Sequence, residues 1–154
     1  MYSGITSTTS LKKNDRIDYK TYDAKNEELL KGVLKPKSFF QKTQQLEVYL
    51  GPDVNLFPEA QIENCLTKKI KIGPGINRMG YRLSPKILPH SKSIITSPVI
   101  PGTVQLTPEG QLIVLMKDAQ TTGGYPRIFQ LTETAIAILA QKWEGDIVRL
   151  IKRC

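Results

Sequence analysis

Two short stretches hold the side chains best equipped for polar chemistry. In Asn77-Arg78-Met79-Gly80-Tyr81-Arg82 the arginines stand four apart, and in an extended strand an even separation puts both guanidinium groups on one face. Two planar forks on one face can grip a carboxylate or a phosphate, while Gly80 lets a ligand or a second backbone come close. The alternative is a pair of surface arginines in unrelated ion pairs. The second stretch, Asp118 to Pro126, packs a carboxylate, the Gln120 amide, the Thr121 and Thr122 hydroxyls, Gly123, Gly124 and Tyr125 into one loop. Such a loop can turn backbone N–H groups toward an anion, and Asp118 can accept a proton or an amide N–H. Read without a ligand, the same residues make a Gly-rich turn that caps its own backbone.

Gln105 opens the strand before this loop and could meet the same ligand if both strand ends open on one side; a half-exposed strand glutamine is the plainer reading. His90 is the only histidine, so a His-based metal site or a Ser-His-Asp triad has little to draw on, and no metal site is expected. Gly73 to Gly80 resembles a phosphate loop only superficially, because it lacks the Gly-Lys-Ser/Thr ending. An ATP site wholly within this chain is therefore poorly supported.

The elements that must position these residues are short. Residues 1–43 are polar and Lys-rich and read as a leading segment, with the domain proper at 44–154. Leu46 to Leu50 alternates as a strand, Pro58 suits the start of a helix that runs past Cys65, and Lys68 to Ile72 alternates again. Between Gly73 and Ser97 the prolines and glycines leave room for short strands at 81–83 and 93–96. Thr103 to Leu106 and Gln111 to Lys117 flank Thr107-Pro108-Glu109-Gly110, whose Pro and Gly suit a type I turn, which predicts a hairpin. After a strand near 127–131, Thr132 predicts the N-cap of a helix with Ile136, Leu139, Ala140 and Trp143 on its core face, ended by Gly145. Ile147 to Ile151 closes the chain as a strand. The sum is a mainly β fold, a β-barrel with two short helices.

Composition narrows the partners. The net charge of +8 comes from 22 basic and 14 acidic residues, but nine of the basic and five of the acidic ones fall in the mixed-charge segment 1–43. No stripe forms and the aromatics do not interleave with it, so no nucleic-acid partner is expected. Without an apolar run long enough to span a bilayer, no membrane role is expected, and two distant cysteines, Cys65 and Cys154, fit a reducing, cytoplasmic compartment.

Taken in order, Asn77 to Leu83, then Ser97 to Ile128 (SPVIPGTVQLTPEGQLIVLMKDAQTTGGYPRI), then Leu139-Ala140-Gln141 and Gly145 to Leu150, the sequence closely resembles the second half of the allophanate hydrolase subunit 2 family, which includes biotin-dependent carboxyltransferase parts and the 5-oxoprolinase C subunit. A weaker echo at Leu11 to Tyr19 matches the join between the family's halves. The resemblance implies a cyclophilin-like barrel. It makes Asp118, Arg78 and Arg82 the candidate catalytic residues and Gln105, Gln120, Thr121, Thr122, Gly123, Gly124 and Tyr125 the candidate substrate-binding ones. It further implies work inside an ATP-using complex with A-like and B-like 5-oxoprolinase subunits, or carboxyl transfer with biotin carried on another chain. A partner-binding role without turnover, as in a family member that antagonises a sporulation-kinase inhibitor, is the competing reading. Family members usually run about twice this length; their opening half is expected on a separate chain, or else this chain is a remnant, and the lack of that half is expected to leave an apolar face that favours self-association. Ala135 stands where relatives often carry an acid.

Overall fold

The computed structural model describes residues 43–84, 86, 87 and 89–153, together with Lys13, Asn14 and Arg16. The chain divides into two compact units, Met1–Lys35 and Pro36–Cys154. Of the first, Lys13 and Asn14 form a turn with Asn14 at φ +77°; apart from Lys13, Asn14, Arg16 and Thr43, the expected leading segment, with the rest of the echo at 11–19, lies outside the described residues, as does Cys154. The second unit contains the barrel.

Seven strands close on one another. In chain order they are β1 (Thr43–Leu50), β2 (Ile70–Ile72), β3 (Gly80–Ser84), β5 (Thr103–Leu106), β6 (Leu112–Leu115), β8 (Arg127–Leu131) and β9 (Ile147–Lys152). Around the barrel the order is β1-β8-β5-β6-β3-β2-β9, and β9 returns to β1. The β1·β9 pairing, Thr43↔Ile147 through Val48↔Lys152, is parallel; the other neighbours run antiparallel. Two further strands, β4 (Ser97–Pro98) and β7 (Thr122–Gly123), form a separate two-stranded sheet.

Alternation explains the barrel wall. Leu46 and Val48 of β1 and Val148 and Leu150 of β9 are fully buried, while Glu47 and Lys152 between or beyond them are exposed. β5 is buried at every position. Phe129 is the largest fully buried side chain and anchors the core. The expected hairpin forms: Gly110 N–H donates to Thr107 O (2.8 Å), Gly110 takes φ +82°, and Leu106 faces Leu112 across the turn.

Among the described residues the α-helices are α1 (Glu59–Thr67) and α2 (Glu133–Leu139). Cys65 is buried on α1, and burial pushes its thiol pKa up to about 11, against a smaller opposing effect of Lys68; it is a packed, protonated side chain. Thr132 caps α2 by accepting the Ala135 N–H at 3.2 Å. Ala135 is buried in the core, a setting in which an acid would need its own partner.

Three sequence expectations change. Residues 93–96 are not a strand: β7 offers only two residues to pair, and these fall opposite Ser97 and Pro98, leaving Ile95 92% exposed. α2 stops at Leu139, well before Gly145. There the N–H groups of Gln141 and Lys142 bond three residues back, and the Trp143 N–H is taken by the Asp146 carboxylate at 2.9 Å. Ala140 and Trp143 therefore leave the core face, and Trp143 is 76% exposed. Arg78, finally, precedes β3 instead of belonging to it, because the Asn77 side chain accepts the N–H groups of Met79 and Gly80 and turns the chain at that point.

Candidate functional site

The β3·β6 ladder, with Gly80 opposite Leu115, continues beyond both strand ends. Met116 N–H donates to Met79 O (3.0 Å) and Asp118 N–H to Arg78 O (2.9 Å). This register sets the two side chains face to face across 40 residues of sequence. Arg78 Nε donates to Asp118 Oδ2 at 2.5 Å and its Nη2 to Oδ1 at 2.8 Å, a two-pronged pair. The side chains are 77% and 50% exposed, so the pair stands in water, where such contacts add little to folding.

Its chemistry follows from that exposure. Hydrogen bonding from Arg78 holds the Asp118 carboxyl below its ordinary pKa, and Asp118 raises that of Arg78 in return. At neutral pH Asp118 is thus an ionised acceptor, suited to an amide N–H. Arg78 spends two of its five N–H donors on Asp118 and keeps the others for an incoming anion.

An open cleft of about 610 Å³ adjoins Arg78. Ile76, Tyr81 and Met116 line its apolar part, and Lys117 and Trp143 stand on it as exposed side chains. Burial raises the pKa of Tyr81, so its phenol stays protonated. The cleft was not foreseen from sequence; its one sequence signal was the lone Trp143, which the helical spacing assigned to the core.

The other expected site residues fall in different surroundings. Arg82 is exposed on β3 opposite Ile113, and among the described residues no hydrogen bond or ion pair joins it to Arg78 or Asp118. Gln105 is 1% exposed and lies beneath the loop, donating from Nε2 to Tyr125 O at 3.3 Å. A Cβ added to Gly123 would approach that nitrogen to 2.5 Å, so glycine is what lets the loop rest on the amide. Thr122 and Gly123 pair with Pro98 and Ser97, and Thr121 O accepts the Val99 N–H (2.9 Å). Gln120, Thr121, Thr122, Gly124 and Tyr125 all face outward, yet none of them lines the cleft.

One pair escaped the sequence reading altogether. Arg127 donates to Asp53 through its backbone N–H (2.9 Å) and Nε (2.8 Å), and its Nη1 donates to Pro98 O at 3.1 Å. The side chains are only 20% and 16% exposed. Hydrogen bonding from Arg127 lowers the Asp53 pKa against the opposing effect of burial. Arg127 thereby holds the strand on which Thr122 and Gly123 are hung. Nothing in the sequence links positions 74 apart.

The family model described as carboxyltransferase domain, subdomain A and B, matches residues 2–152. The chain belongs to the carboxyltransferase domain family. Among its curated relatives, the 5-oxoprolinase C subunit of Escherichia coli (strain K12) is 41% identical over 104 residues, which cover 66% of this chain and 34% of the relative. The 5-oxoprolinase C subunit of Haemophilus influenzae is 39% identical over 75 residues, 47% of this chain and 24% of the relative. The matches thus span about a third or less of these relatives' length. Among solved structures, urea amidolyase of Kluyveromyces lactis superposes with a TM-score of 0.67 at 21% identity, over 73% of this chain and 8% of that one. That likeness carries the barrel fold, as a mainly β barrel with two helices.

Proposed function

We propose that this chain is a component of a 5-oxoprolinase, contributing the Arg78–Asp118 pair to a site that opens the lactam 5-oxoproline to glutamate. This reading rests on the 41% identity to the 5-oxoprolinase C subunit. The geometry supports it chemically: an exposed arginine with spare donors suits the substrate carboxylate or a phosphoryl oxygen, and an ionised Asp118 beside it can accept the lactam N–H. ATP would activate the amide oxygen, and the remaining groups would come from A-like and B-like partner subunits.

The deciding experiment is 5-oxoproline-dependent ATP hydrolysis by the purified chain alone and after mixing with candidate partner subunits. Turnover only in the mixture, lost in Arg78→Met, is the expected result. A complex that forms and yet shows no 5-oxoproline-dependent hydrolysis overturns the proposal and directs the search to carboxyl transfer from biotin held on another chain.

A further inference from the structure

An exposed tryptophan borders the cleft. An indole 76% exposed leaves in water an apolar surface that is more often largely buried. Here the backbone cannot turn it inward. Asp146 accepts the Trp143 N–H (2.9 Å) and returns its own N–H to Trp143 O (3.1 Å). Gly145, at φ +93°, donates to Ile72 O at 2.9 Å, and Asp146 O accepts from Ile72 N–H at 2.9 Å, so the turn is fastened to β2 on both sides. The backbone that carries the ring is held at a fixed place.

What it is held beside is cationic. Arg78 and Lys117 line the same cleft as exposed cations, Lys142 lines it as a buried side chain, and among the described residues none that lines it is acidic. Asp118, next to Lys117 in the chain, is already engaged with Arg78. A volume of about 610 Å³ falls among those of small-molecule sites, roughly 300–1,000 Å³. An exposed flat ring on a fixed backbone, apolar walls at Ile76 and Met116, and neighbouring cations are complementary to one ligand chemistry: a flat ring joined to an anionic group.

We infer that the cleft between Arg78 and Trp143 binds a small organic anion through its ring, stacked on Trp143, and its anionic group, held by Lys117 and the free donors of Arg78. A cyclic carboxylate and an adenine nucleotide both have this chemistry, and the experiment tells them apart. The inference deepens the oxoprolinase reading, because it gives the spare donors of Arg78 a cleft in which to act, and its probes rest on that reading.

Trp143 is the chain's only tryptophan, so its emission reports this cleft alone. The full chain is titrated with 5-oxoproline and, separately, with ADP, following Trp143 emission and checking each by calorimetry. Saturable binding of either probe is expected, with Lys117→Met and Trp143→Leu each weakening it by about tenfold or more in calorimetry while melting as the parent does. Binding of 5-oxoproline alone identifies the cyclic carboxylate, and binding of ADP alone the nucleotide. Absence of saturable binding by both, binding untouched by the two substitutions, or equal competition by inorganic phosphate overturns the inference. Full oxoprolinase turnover in a complex carrying both variants would also remove the cleft while leaving the proposed function standing, whereas binding without turnover would do the reverse.

Discussion

Two arginine–aspartate pairs of nearly the same local chemistry do opposite things in this molecule. Asp53–Arg127 is four-fifths withdrawn from water and has a third partner in Pro98 O; Arg78–Asp118 is half to three-quarters exposed and borders an open cleft. Withdrawal makes the first pair a brace, because losing one partner leaves a charge stranded in a poorly solvated place. Exposure leaves the second replaceable, since water or a substrate carboxylate can stand in for either member. A pairing motif thus does not reveal its role until its burial is known.

The contrast can be broken from either side. The largest effect is expected from Arg78→Met, which should cut turnover of the assembled complex by about a hundredfold while leaving the denaturation midpoint of the chain in place. A shifted midpoint would mean that the exposed pair is also a brace. Asp53→Ala should do the converse, lowering unfolding free energy by about 2–3 kcal/mol in urea titrations, with the largely buried Arg127 left without its carboxylate.

Acid should reproduce part of that loss. The Asp53 pKa is lower in the folded chain than the roughly 3.9 of an unfolded aspartate, so its contribution is fully present above about pH 4 and fades as pH falls through the lower folded value. The stability gap between the parent and Asp53→Asn should therefore close below about pH 4, measured by denaturation at stepped pH. A gap that stays constant in strong acid would show that the carboxylate's charge is irrelevant. The smallest effect expected is that of salt: about 1 M NaCl should weaken whatever coupling a double-mutant cycle finds for Arg78 and Asp118, and barely alter that of Asp53 and Arg127.

Most of the barrel was legible because its strands alternate and its hairpin turn has Pro and Gly where the geometry wants them. The Arg78 and Asp118 candidates were legible by residue type, although what joins them is strand register, which side-chain spacing does not encode. Gln105 was expected to meet ligand, yet it lies beneath the loop because every position of β5 is buried. Trp143 departs from its helical spacing for a physical reason: apolar spacing of about 3.6 residues describes a helix for only as long as the helix lasts, and a carboxylate three positions on ends this one early. The Asp53–Arg127 brace left no trace in sequence because its halves come from different segments brought together by the β1·β8 pairing.

The parallel joining of β1 to β9 has a consequence in time. On the side away from β8, residues 43–48 find their partners among residues 147–152, so the barrel stays an open sheet until Lys152 has left the ribosome. Until then β1 has a bare edge, available to a chaperone or to another nascent chain, and closure is the step on which folding of this unit must wait.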